Sequence, residues 1–178
     1  MRKNSKLKHR GRKQDPLAIL HKGQKLAVDG DIDEALILLR RGISVAKEHR
    51  DKRAQSLIHS EIGFCYQEKG QGRRALREFA RACDVWPDCS SSLLTLGTAY
   101  LDQGDLEKAG KYLAHALTVA EKEYRKGMYA KDSSNLLNAC LLLSKASREL
   151  ATKTLQFGLK KFPNHPLLKK ELQAGRST

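Results

Sequence analysis

The sequence predicts an all-α superhelical solenoid of about four helix-turn-helix repeats, closed by a C-terminal capping helix. Three observations lead there: self-similarity at a step of 34 positions, glycines placed where the first helix of each pair must end, and a composition that favours helix. The 178 residues are 40% hydrophobic and 30% charged with only 4 prolines, so there is material for a core and little to break helices.

Residues 56–87 align with residues 90–121. Ile62-Gly63, Tyr66, Gly70, Ala75, Phe79 and Ala82 recur as Leu96-Gly97, Tyr100, Gly104, Ala109, Leu113 and Ala116, each pair 34 positions apart. An earlier copy runs through Gly23, Leu26, Gly30, Ala35, Leu39 and Gly42, with Lys22 where the others are aliphatic. A fourth runs through Ala139, Leu142, Ala146, Ala151, Leu155, Gly158 and Pro163, with Asn135 and Asn138 replacing apolar residues. Helix axes approach closely only over small side chains, a role given to Gly63 with Ala75 and to Gly97 with Ala109. Gly30, Gly70 and Gly104 end first helices in the left-handed conformation, Asp31 and Asp105 are placed to cap second helices, and Pro87 and Pro163 stop them.

The repeats are expected at about 16–49, 56–89, 90–124 and 132–163. A capping helix over 166–175 carries Leu167, Leu168 and Leu172, and a flexible basic tail spans 1–15. These small, aromatic, glycine, alanine and proline positions resemble the tetratricopeptide repeat family over roughly residues 16–163. The resemblance implies a right-handed superhelix whose first helices line a concave surface that holds another protein. Steps of 40 from Ala35 to Ala75 and of 42 from Ala109 to Ala151 mean that some repeats are lengthened. In this they look like the repeats of kinesin light chains and spindle-orientation scaffolds.

Helical spacing of three and four places Leu20, Gln24, Leu57, Phe64, Gln67, Leu94, Thr98, Leu101, Leu136 and Leu143 on the inner face of the four first helices. Such an apolar and polar face, largely uncharged, is suited to a partner helix or extended peptide. The competing expectation is that neighbouring repeats bury these residues, and periodicity does not separate the two. Some relatives of the family grip acidic chaperone C-termini with a Lys, Asn and Arg clamp. Leu20, Gln24, Glu61, Ser91 and Thr95 stand at the matching places, so that clamp is absent.

A formal charge of +14 from 34 basic and 20 acidic residues favours an acidic partner. Half of the excess sits in Arg2, Lys3, Lys6, Lys8, Arg10, Arg12 and Lys13, which lack an intervening acid. This tail has the charge of a nuclear-localisation or nucleic-acid-binding arm, but no aromatic residue to stack on bases, so any contact would be to backbone. Its bland alternative is a solvated extension, and Arg40-Arg41, Lys52-Arg53 and Arg73-Arg74 have the same alternative as exposed helix faces.

The sequence offers no membrane span and no hydrophobic leader, so a soluble, cytoplasmic protein is expected, with the nucleus as an alternative if the source is eukaryotic. Cys65, Cys83, Cys89 and Cys140 form no CxxC pair and are read as buried thiols in a reducing compartment, with no metal and with a disulfide as the alternative. No histidine stands in a catalytic constellation, and His59 is read as a partly buried packing residue. No cofactor is expected. The functional expectation is therefore a non-catalytic interaction scaffold or adaptor. The alternative is a protein attached to nucleic acid or a ribonucleoprotein through its tail.

Overall fold

The computed structural model describes residues 14–126, 134–146 and 148–174, with side chains except at 136, 144–146 and 148–153. The basic tail residues 2–13 and the side chains of Leu136, Ala146 and Ala151 therefore lie outside the described residues. Nine helices are present among those described. They are α1 (Pro16–Val28), α2 (Ile32–Glu48), α3 (Lys52–Glu68), α4 (Gly72–Val85), α5 (Ser90–Asp102), α6 (Leu106–Arg125), α7 (Ser134–Ala146), α8 (Arg148–Lys161) and α9 (Pro166–Ala174).

Each helix packs on the next, and the first helices also touch one another, α1 on α3, α3 on α5 and α5 on α7. No second helix packs extensively on another among the described residues, so α1, α3, α5 and α7 form an inner layer and α2, α4 and α6 an outer one. The small-residue positions locate the crossings. A Cβ on Gly23 would meet Leu39 Cδ2 at 2.5 Å, on Gly97 it would meet Leu113 Cδ2 at 2.7 Å, and on Gly63 it would collide with Phe79 Cε1. The three glycines and their partners occupy equivalent places in successive pairs, so one contact is repeated along the stack.

The turns inside the pairs follow from backbone chemistry. Gly30, Gly70 and Gly104 have φ of 92°, 67° and 77°. In each turn the following amide reaches back, Asp31 N to Leu26 O at 2.9 Å, Gln71 N to Tyr66 O at 2.8 Å and Asp105 N to Tyr100 O at 3.0 Å, satisfying carbonyls the helix end leaves open. Asp105 also caps α6 by accepting from Lys108 N at 3.1 Å. Asp31 stands at the start of α2 but its side chain makes no cap bond, a correction to the sequence reading. α3 begins at Lys52, ahead of the 56 taken from the alignment, because Asp51 accepts from Ala54 N at 2.9 Å and starts the helix there.

The core is a chain of clusters. One joins Ala35, Leu39, Ala54, Ile58 and Ile62 between the first three helices. Another joins Phe79, Leu93, Leu96 and Leu113 across α4, α5 and α6. At the C-terminal end Leu168 of α9 is buried with Cys140 and Leu155, so α9 covers apolar surface of α7 and α8.

Candidate functional site

The inner layer opens into a concave groove of about 370 Å³ between α3, α5 and α7. α3 contributes Phe64 and Gln67. α5 contributes Ser91, Leu94, Thr95, Thr98, Ala99 and Asp102, and α7 contributes Asn135, Asn138 and Leu142, with Phe79 of α4 behind them. The spacing on α5 is that of one helical face, which is why a single helix can supply half of the lining.

Of the residues expected on the inner face, Phe64, Gln67, Leu94 and Thr98 are brought together here. Phe64 is 43% exposed, and its ring lies edge-on to Phe79 with centroids 5.1 Å apart, so one side faces solvent and the other is anchored. Leu20 and Leu143 are corrections: they are only 4% and 3% exposed and belong to the packed core, because adjacent helices close over them. Leu57 and Leu101 are half-buried against the same clusters. Gln24 is directed into the inner row, where its amide donates to Glu61 Oε2 at 3.0 Å. Leu136 falls in α7, with its side chain outside the described residues.

Sequence reasoning does not place Asp102, Asn135, Asn138 and Leu142 in the site, and it reaches Thr95 only as a place of the absent clamp. Its one available signal is the pair of asparagines interrupting the apolar pattern of the fourth repeat. Both line the groove.

The polar chemistry of this lining is biased toward acceptors. Thr98 Oγ1 donates to Leu94 O at 2.9 Å and Thr95 Oγ1 donates to Ser91 O at 3.0 Å, which ties up both hydroxyl protons and leaves lone pairs. Asn135 Nδ2 donates to Ser90 Oγ at 3.0 Å, which uses one of its two amide protons. Asp102 is the charged residue in the lining, and it is negative.

Behind the groove lies a polar joint that the sequence did not announce. Ser90 Oγ donates to the buried Glu123 Oε2, and Ser90 N lies 3.5 Å from Glu123 Oε1. A carboxylate from the end of α6 thus caps the start of α5, and Asn135 extends the joint to α7. Nearby, Ser56 Oγ lies 2.9 Å from both Ala82 O and Ser92 Oγ, so the buried serines are satisfied.

On the far side of α3, His59 Nδ1 lies 2.8 Å from Glu78 Oε2 and Arg81 donates to Glu78 Oε1 at 2.6 Å. Burial opposes the charge of Glu78, yet the hydrogen bond from His59 and the charge of Arg81 outweigh it and hold the carboxyl below its usual range. The partly buried His59 is thus hydrogen-bonded as well as packed. All four cysteines are buried and unpaired. Among the described residues no group of side chains is arranged to hold a metal, and no helix is long and apolar enough to cross a membrane.

A family model, tetratricopeptide repeat, matches residues 90–123, the pair α5 and α6. The same paired-helix fold occurs in a Podosopora anserina protein named for kinesin light chain, with nearly identical TPR-like repeats (TM-score 0.68, 16% identity, 92% of this chain and 88% of that one). Residues 90–123 thus form a tetratricopeptide repeat, and the chain as a whole has a tetratricopeptide-like fold. Other tetratricopeptide-like folds similar to it are BtubC (BKLC) from P. vanneervenii (TM-score 0.71, 16% identity, 92% of this chain and 75% of that one) and YrrB, a TPR protein with an unusual peptide-binding site (TM-score 0.63, 13% identity, 92% and 77%). At these identities the likeness is one of fold. No curated protein matches the sequence. Tetratricopeptide proteins typically mediate protein–protein contacts.

Proposed function

We propose that this protein is a non-catalytic adaptor that holds an extended peptide in the groove between α3, α5 and α7. The observation that carries this reading is the lining itself. Phe64, Leu94 and Leu142 offer apolar contact, while Asn138, Gln67 and the threonine oxygens offer groups that pair with peptide N–H and C=O. With Asp102 as the charged member, the preferred ligand carries apolar side chains and is neutral or basic. An acidic tail would meet repulsion, in keeping with the missing cationic clamp. The peptide-binding site named for the similarly folded YrrB lends support by analogy. Four buried, unpaired thiols suit a reducing compartment such as the cytosol.

The test is selection from a random decapeptide display library, followed by titration of the enriched sequences against wild type, Asn138→Ala and Thr98→Trp. The expected result is apolar, acid-poor peptides whose affinity falls at least ~10-fold in each variant. Selected peptides that bind Thr98→Trp as tightly as wild type would place binding outside the groove and defeat the reading. A second reading, attachment to nucleic acid or a ribonucleoprotein through the seven cations of residues 2–13, rests on their charge. It predicts salt-sensitive binding that is lost when residues 1–14 are removed and kept in Thr98→Trp.

A further inference from the structure

We propose that the outer face of α4 is a binding site for the phosphate backbone of a duplex nucleic acid, separate from both the groove and the N-terminal tail. The exposed positions of α4 are Gly72, Arg73, Arg74, Arg77, Arg81 and Asp84, four arginines against one acid. An ordinary solvated helix face mixes signs, as α2 does with Asp33, Glu34 and Glu48 among its exposed cations. α4 does not.

The arginines are also not spent equally. Arg81 is committed to Glu78, and Arg74 donates to Gln71 and lies over the Tyr66 ring. Arg73 and Arg77 have no ion-pair partner among the described residues. On the next outer helix, Lys111 and Lys122 are likewise without an acid partner among the described residues. Like charges held together without counter-charges cost free energy, which an anionic partner relieves.

Geometry selects the class of partner. Arg73, Arg77 and Arg81 follow one another at four-residue spacing, so they line one side of the helix over ~12 Å. That length covers three to four phosphates at a rise of ~3.4 Å per strand. Guanidinium forks fit phosphate oxygens in pairs. No aromatic side chain is exposed on α4 to stack on an unpaired base, which a single-strand platform needs. Contact is therefore expected to be with backbone, sequence-blind and salt-dependent.

The experiment uses the full chain, tail included, with fluorescent 20-base-pair DNA and RNA duplexes, a poly(U) 20-mer and poly-glutamate, read by anisotropy across a salt series. Arg73→Gln/Arg77→Gln is compared with Lys169→Gln/Lys170→Gln, an equal charge change on α9, with circular dichroism to check folding. The α4 variant should lose on the order of tenfold affinity for a duplex, and its log K against log salt slope should shrink by ~1.8, two phosphate contacts' worth. The α9 variant should change less than ~2-fold. Either duplex responding in this way supports the site. Equal losses in the two variants, or tighter binding of poly(U) than of both duplexes, would overturn it. So would displacement by poly-glutamate at equal charge, which would point to an acidic protein surface instead.

Discussion

At the scale of single residues, Gly63 shows how little room the repeat contact allows. An added methyl would press on the ring of Phe79, which is 1% exposed and cannot swing away, so Gly63→Ala should cost roughly 1–3 kcal/mol of overpacking, offset in part by better helix propensity. Gly110 is the internal control. It lies within α6 with open space where a methyl would go, so Gly110→Ala should gain about 0.5–1 kcal/mol. Urea midpoints that fail to separate these two variants would mean that the close crossing does not form. Arg50 invites the opposite exchange. It holds φ at 55°, where a Cβ is strained, while its amide donates to Lys47 O at 3.0 Å in the turn that ends α2. Arg50→Gly should therefore raise the urea midpoint by the equivalent of roughly 0.5–1 kcal/mol.

At the scale of elements, two junctions give distinct signatures. Glu78 ties α4 to α3 through His59, and its carboxyl is held below its ordinary value of 4.5 in the folded chain. Its contribution is thus complete above that value and is lost as pH falls through the lowered one. Glu78→Gln should cost ~1–3 kcal/mol at pH 7 and show a flatter loss of stability below pH ~4.5 than wild type. Denaturant curves at pH 7 and pH 3 decide it; an unchanged acid limb would show that the pair is not coupled to folding. At the other end, Leu168 is fully buried against α7 and α8. Leu168→Ala should cost ~2–5 kcal/mol, read as faster amide exchange in α7 and α8 while α1–α3 stay protected, since each pair leans mainly on its neighbours.

At the scale of the whole molecule, burial pushes Cys83 up to about 12 and Cys65 and Cys140 up to about 11, and the stack keeps all four thiols inside. At pH 8 Ellman's reagent should label native protein more than ~100-fold slower than unfolded chain, and fast labelling without urea would contradict this packing. The stack was legible in the sequence because glycine turns and small crossings repeat at fixed positions. Which leucines face the groove was not. Leu20 and Leu94 share a periodic position and are both buried core residues, yet Leu94 also edges the groove, because the neighbouring helices leave one side of α5 open. The joint of Ser90, Glu123 and Asn135 was hidden for a different reason: its members lie 33 and 45 positions apart and carry no motif. That joint makes one amide answer to two demands. Asn135 fastens the fourth helix pair to the third with its nitrogen, and the same residue lines the groove. A guest that competed for that amide would loosen the latch between modules, so amide exchange at the start of α5 should rise on binding if the two demands conflict.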